Sequence, residues 1–367
     1  MEGSDNESDK QIEETLEPVS VKDTIDGLED KDSDNESDKQ KEDYGLHNDG
    51  SFLFPTLEPV SLKDTIDGLE EEVCEILPHS EIVDLLRLTM LVYNYGKDFE
   101  LEEGEDLEGF LNSIKEDPES TKLDKLNKER KEALFEIAKS SPHGRILDFV
   151  TEKSTDLQCG ITISHAKKRI NVIFRGSESI SDWYYDLQFF KHKLEPKYQS
   201  EKGDVHVHVG FFKQLTNKSS YDEILLVLKE ALENEEYKDY DIYTTGHSLG
   251  GALCTLFGYM LSHEIENKVT VVSFASPRVG NYDWKESFDK KENLIHYRVS
   301  NHRDLVTAAP MFNYKHVGNT IRLFEDTYKY FPNYSYNGWW EFSLFNCWRI
   351  SDHMCEIYYD RLLKNKW

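Results

Sequence analysis

The sequence predicts an α/β fold: a largely parallel central sheet with helices on both faces, preceded by an acidic N-terminal tail. Two observations carry this expectation. From about residue 160 onward, short runs of β-branched and aromatic residues alternate with stretches of helical period, the order that builds parallel strands joined by helices. The charge is also uneven. Residues 1–72 hold 24 Asp or Glu against 6 Lys or Arg, so 18 of the chain's 28 net negative charges lie in its first fifth. The remainder is ordinary and mildly acidic, and 367 residues with 38% hydrophobic content, including 19 Phe, 20 Tyr and 6 Trp, suffice for one large core.

The acidic segment is repetitive. Its residues 4–11 return at 33–40, and 15–29 return at 56–70 with Val21 replaced by Leu62. Two copies are too few for a solenoid. With few apolar residues and high charge they bury too little surface to offset chain entropy, so 1–72 is expected to be disordered and 73–367 to be the folded domain. A solvating spacer is the simplest role for this tail; the repeated Thr-Leu-Glu-Pro-Val unit could also dock a protein partner.

In the domain, Ile82, Leu85, Leu86, Leu88, Met90, Leu91 and Tyr93 suggest a largely buried helix. The charged stretch 97–130 reads as a surface insertion, with a second helix around 124–139. Residues 160–164 and 169–174 read as adjacent strands joined by a turn at His165 to Lys168. Further on, 221–235 is a helix, 241–245 a strand, 252–265 a helix, and 269–274 and 294–299 strands. A final helix is expected over 352–363.

Composition narrows the function. A strongly negative body is repelled by phosphate arrays, which argues against nucleic acid or anionic lipid surfaces and leaves neutral or zwitterionic lipids open. The start lacks the basic and apolar regions of a secretory signal, and no apolar run reaches the roughly 18–20 residues of a membrane span, so a soluble, intracellular protein is expected. Five cysteines, an odd number without metal-ligand spacing, fit reduced thiols.

The sharpest signal is Gly246-His247-Ser248-Leu249-Gly250. The pattern Gly-x-Ser-x-Gly is weak alone. Here it follows a strand and opens an apolar helix, the setting of a nucleophile elbow in an α/β-hydrolase, where a strained turn exposes the serine and the helix N-terminus faces a developing oxyanion. Ser177, after Phe174-Arg175-Gly176, and Leu249 are the expected backbone donors of the oxyanion hole.

A serine nucleophile needs a base, and the base needs an orienting acid, which in this fold follow in the order Ser, Asp/Glu, His. Of the histidines after Ser248, His263 falls on a helix and His296 in a strand. His353 fits best, after a long aromatic-rich loop and near the domain's end. Asp304 lies just past a strand, at the edge where such sheets carry functional groups. Asp326 and Asp352 are its rivals, Asp352 being better explained as a helix cap. The roles together describe ester hydrolysis through an acyl-enzyme, which needs no metal or organic cofactor.

Several segments together resemble the class 3 lipase family, the group that includes fungal triacylglycerol lipases and plant acyl hydrolases. They are residues 172–177, Ser181-Asp-Trp183 with Asp186-Leu187, 207–211, 245–252, 273–281, 298–304 and Asp352-His353, all in family order over about 157–360. The resemblance implies Ser248, Asp304 and His353 as a triad. One departure follows Asp304, where the family tends to carry Pro-Val-Pro and this chain has Leu305-Val-Thr-Ala-Ala-Pro310.

The family's lid corresponds to 178–187, where Ile180, Trp183, Tyr184 and Leu187 form one apolar helical stripe. It would cover the acyl site in water and turn outward on lipid; the same stripe also suits a fixed helix packed on the core. The aromatic run Trp339, Trp340, Phe342, Phe345 and Trp348 suits an acyl pocket, a membrane contact or core packing. The leading expectation is hydrolysis of lipid esters, tri- or diacylglycerol or phospholipid, at a lipid–water interface. A short-chain esterase or acyltransferase with the same triad is the second reading, and a silent lipid-binding scaffold the third.

Overall fold

The computed structural model describes residues 76–94, 146–152, 154–177, 190–200, 203–310, 312–334 and 349–367, with isolated positions at 113, 116 and 128. The acidic tail, the helix expected around 124–139, the lid stripe and the aromatic run at 339–348 all lie outside the described residues.

The described strands are β1 (Ile146–Glu152), β2 (Leu157–Ser164), β3 (Arg169–Phe174), β4 (Lys191–Lys193), β5 (His206–His208), β6 (Asp241–His247), β7 (Val269–Phe274), β8 (Leu294–Asn301), β9 (Asn319–Leu323) and β10 (Tyr328–Phe331). Eight of them form one sheet in the order β1-β2-β3-β6-β7-β8-β9-β10, and β4 pairs with β5 separately. Strands β3, β6, β7, β8 and β9 are mutually parallel, while β1 and β2 at one edge and β10 at the other are antiparallel.

The central strands are buried on both faces, which is why they read as continuous apolar runs rather than alternating ones. Ile170, Val172 and Phe174 of β3 and Val269 and Val271 of β7 pack into one core. Ile173, Val272 and Phe274 pack into the other. The described helices divide accordingly. Helices α1 (His79–Asn94) and α6 (Cys355–Lys364) cover the second face, while α2 (Val209–Thr216), α3 (Ser220–Leu232), α4 (Leu249–Leu261) and α5 (Tyr282–Asp289) cover the first. Each Leu or Ile fully withdrawn from water on these faces contributes about 1.5–3 kcal/mol.

Helix α4 is buried along its whole length and is apolar nearly all round, as an interior helix must be. It begins at Leu249, three residues before the sequence pattern suggested, because Gly250 and Gly251 are helical rather than part of a turn. It stops at Leu261 with Ser262 as its C-cap, so His263 sits in the following turn and not on the helix. The last helix also differs from expectation. Met354 is extended, which splits the stretch into a 3₁₀ turn at Ser351–His353 and α6 proper, and His353 therefore stands on the turn.

The elements β1, β4, β5, α2, α5, β9 and β10 lie outside the sequence expectation; β4, β5 and β10, at three or four residues, are too short to show a period, and α2 and α5 are only eight residues long. Helix α1, before the sheet in sequence, is clasped by the far end of the chain. The His79 ring donates to the Leu362 carbonyl at 2.7 Å, and the Trp367 indole donates to the Leu77 carbonyl at 3.0 Å.

Candidate active site

The site grows from the end of β6. Ser248 has φ 60° and ψ −123°, a left-handed backbone that costs a residue with a side chain about 1–3 kcal/mol. The strain is held in place from both sides: the Ser248 N–H donates to the Phe274 carbonyl at 2.9 Å, and the Ser248 carbonyl accepts from the Ala252 N–H at 3.2 Å. So tight a turn leaves no room for side chains beneath it. A Cβ at Gly246 would lie 2.3 Å from the Gly250 carbonyl oxygen, and one at Gly250 would lie 2.2 Å from the Phe174 carbonyl oxygen.

That close approach brings the start of α4 against the end of β3. Leu249 lies in the first turn of α4, whose N–H groups have no intrahelical acceptor. Ser177, half-buried, lies two residues past the Arg175 carbonyl carbon that a Cβ on Gly250 would approach to 2.9 Å. The two expected oxyanion donors thus belong to adjoining segments of backbone, with the positive end of the α4 dipole between them.

His353 and Asp304 arrive from different parts of the sheet and converge on Ser248. The His353 ring places Nε2 2.7 Å from Ser248 Oγ and Nδ1 2.9 Å from each oxygen of Asp304. His353 and Asp304 are fully buried and Ser248 almost so. With the Nδ1 proton directed at a carboxylate, Nε2 is left as an acceptor for the serine proton.

Asp304 is held by more than the histidine. Its Oδ1 accepts the Val306 backbone N–H at 2.9 Å, and its Oδ2 accepts the Tyr358 hydroxyl at 2.7 Å. Burial, together with the neighbouring carboxylate, pushes the Tyr358 phenol well above its usual range, so it remains a donor. The Tyr358 oxygen in turn accepts the Asn301 backbone N–H at 2.8 Å, and the Asn301 side chain donates to the Asp352 carbonyl at 2.7 Å, securing the turn that carries His353.

The loop after Asp304, where the family pattern is absent, is fixed by buried cations and donors. Arg278 donates through its guanidinium to the Ala308 and Pro310 carbonyls and through its backbone to Ala309. The His316 ring donates to the Thr307 carbonyl at 2.8 Å, and burial, aided by Arg298 and Arg278, holds that histidine well below its ordinary range and neutral.

The other candidates are occupied elsewhere. His263 packs on Tyr198 and Tyr259, and burial lowers it to about 4. His296 bridges the Ser273 hydroxyl and the Val317 carbonyl, and burial lowers it to about 3. His302 stacks on Phe324. Asp326 is exposed beyond β9. Asp352 pairs with Arg361 at 3.1 Å, whereas the sequence had suggested a cap; neither the 3₁₀ turn nor α6 has a side-chain cap.

Sequence reasoning gave Tyr358, Asn301, Tyr93 and Arg278 no role in the site, although Tyr93 is on the expected first helix and Asn301 and Arg278 fall in the family-like segments. Each acts across the chain on a neighbour that no local spacing announces. Of the predicted lid residues, Ile180, Trp183, Tyr184 and Leu187, none falls among the described residues. No described helix is long and apolar enough to cross a membrane. Cys159, Cys254 and Cys355 are buried free thiols.

Comparison with known proteins places these features in context. Residues 171–314 match the family described as Lipase (class 3). A Caenorhabditis elegans lipase is 30% identical over 155 residues, covering 41% of this chain and 40% of that protein. Phospholipase A1-II 3 of Oryza sativa subsp. indica is 31% identical over 180 residues, covering 43% of each. The chain thus spans well under half the length of these relatives. In three dimensions, the Rhizomucor miehei triacylglyceride lipase is similar with a TM-score of 0.55 at 20% identity, over 77% of this chain and 96% of that one. The Lip2 lipase of Yarrowia lipolytica is similar with a TM-score of 0.56 at 19% identity, over 76% and 92%. At such identities the likeness establishes the shared α/β-hydrolase fold.

Proposed function

We propose that this chain, whose residues 171–314 match the class 3 lipase family, hydrolyses carboxylic esters of lipids with Ser248 as nucleophile, His353 as base and Asp304 as orienting acid. One observation carries the reading: an unbroken hydrogen-bonded line from Asp304 through His353 to Ser248, with contacts of 2.9 and 2.7 Å in a buried setting. His353 Nε2 takes the Ser248 proton as Oγ attacks the ester carbonyl, and the resulting imidazolium is stabilised by Asp304. The backbone N–H groups of Ser177 and Leu249 hold the tetrahedral oxyanion. His353 then returns the proton to the departing alcohol oxygen, and water releases the acyl group by the same route. Fixing Asp304 with three donors costs nothing at the moment of reaction, because its orientation is set before substrate arrives.

Under this reading the substrate is a tri- or diacylglycerol or a phospholipid met at a lipid–water interface. The stripe Ile180, Trp183, Tyr184 and Leu187 serves as a lid. The acidic repeats serve as a solvating spacer or dock a protein partner, and the enzyme works inside the cell, where the buried free thiols of Cys159, Cys254 and Cys355 stay reduced.

The test is an ester panel of increasing acyl length, offered in solution and as emulsion, with Ser248→Ala alongside. Long-chain turnover that rises at the interface and vanishes in Ser248→Ala is expected. Equal slow hydrolysis by both proteins would overturn the assignment, and a strict preference for short acyl chains without interfacial gain would remove the lid.

A further inference from the structure

Tyr93 is the next-to-last residue of α1, a helix outside the segment that matches the family. Its hydroxyl reaches into the elbow. It lies 3.1 Å from Nδ1 of His247 and 3.4 Å from the His247 carbonyl oxygen. It also packs against Gly176, where a Cβ would come within 1.8 Å of the Tyr93 oxygen. The opposite nitrogen of His247, Nε2, lies 2.7 Å from the main-chain carbonyl of His353. One hydroxyl therefore meets the strand end beside Ser177 and the residue before Ser248, and through His247 it is coupled to the base.

The chemistry of these contacts fixes the proton positions. A carbonyl oxygen only accepts, so His247 Nε2 must carry hydrogen, and in the neutral ring Nδ1 is then a bare acceptor. Tyr93 O–H supplies the donor that this tautomer needs. A neutral His247 also suits its surroundings, since its ring centroid is 4.8 Å from that of His353, which turns positive when it takes the serine proton. His247 is almost wholly buried, so water is not at hand to replace either partner.

We propose that Tyr93 and His247 are positioning residues for the base: Tyr93 holds His247 in its Nε2–H form, and that N–H anchors the His353 carbonyl so that the His353 ring stays aimed at Ser248. This rests on the assignment of Ser248, Asp304 and His353 given above. His247 is thereby more than packing beside the serine, because what it supplies is a directed donor rather than ring volume.

The experiment compares kcat and KM on a soluble ester for His247→Gln, His247→Phe, Tyr93→Phe and Ser248→Ala in the full chain, with histidine ¹⁵N spectra of the wild type and Tyr93→Phe. Glutamine can place an amide N–H near the position of Nε2, whereas phenylalanine keeps the ring and loses the donor. The expected result is a kcat loss of about tenfold or more in His247→Phe at nearly unchanged KM, largely restored in His247→Gln. Tyr93→Phe, which removes a single oxygen and keeps its ring, should lower kcat and shift His247 away from a single Nε2–H tautomer. The proposal is overturned if phenylalanine at 247 matches or exceeds glutamine, or if Tyr93→Phe leaves both kcat and the tautomer unchanged. Should His247→Phe not fold, Tyr93→Phe decides alone. Retained activity in Ser248→Ala would instead bring down the hydrolase assignment itself.

Discussion

Tyr358 donates its hydroxyl proton to Asp304 Oδ2 at 2.7 Å while its oxygen accepts the Asn301 backbone N–H at 2.8 Å. The tyrosine thus ties the candidate acid to the end of β8 and binds both to α6. Replacing it with phenylalanine leaves a buried N–H and a buried carboxylate oxygen each short of a partner. Tyr358→Phe is expected to cost about 1–3 kcal/mol of stability and to lower kcat several-fold. Urea unfolding and ester turnover on the same preparation check the two effects.

Asp304→Asn keeps the size of the side chain but can present an N–H where His353 Nδ1 now donates. The ring would then adopt the other tautomer, and Nε2 could no longer accept from Ser248. A fall in kcat of roughly 10⁴-fold is expected, with a folded protein by circular dichroism.

Gly246→Ala places a methyl 2.3 Å from the Gly250 carbonyl oxygen and 2.8 Å from that of Phe174, both of them backbone. Neither can swing aside as a side-chain tip could. The substitution should destabilise the protein by about 3 kcal/mol or more, seen as a lower denaturant midpoint. Unchanged stability would mean that the elbow is looser than its geometry indicates.

Stability should depend on pH through the buried histidines. Burial holds His296 down to about 3 and His263 to about 4, both below the unfolded value near 6.5. Below that value the unfolded chain binds protons that the native chain refuses. Stability is therefore complete above about pH 6.5 and declines as pH falls towards 4 and 3. His296, being fully buried, can contribute a slope of up to about 1.4 kcal/mol per pH unit. Urea midpoints at pH 7, 6 and 5 should show this slope, and His296→Gln should reduce it.

Removing residues 1–72 should leave kcat unchanged, because no residue argued to act in the site lies there. Removing residues 1–94 takes away α1 with its buried Ile82, Leu85, Leu86 and Leu88, and should yield no folded protein. Size-exclusion profiles and ester turnover of the two truncations separate these outcomes.

How much of this could be read from the chain depended on range. The elbow is local: a strand, two glycines flanking Ser248 and an apolar helix all fall within about twenty residues, so pattern and chemistry coincide. Asp304 could be nominated from its place after a strand and His353 from its place near the end of the domain. The parallel order of the sheet followed from the alternation of strands and helices. Tyr358, Arg278 and Tyr93 carry no such mark. Tyr93 meets His247 across 154 positions and Tyr358 meets Asp304 across 54, and only the packing of α1 and α6 on the sheet brings those pairs together. Asp352 misled because an acid at the start of a helical pattern is usually a cap, whereas here Arg361, two and a half turns along, claims it.

The 105 positions that separate Ser248 from His353 have a bearing on how such a catalyst comes into being. The elbow, the acid loop and the base turn sit on different strands and turns of one sheet, so no fragment holds them in register. A growing polypeptide displays the serine long before the histidine has been synthesised, and until β8, β9 and α6 have docked, that serine is an ordinary alcohol. On the proposed mechanism, the incomplete chain cannot cleave an ester, and the onset of hydrolysis reports that the last part of the sheet has closed.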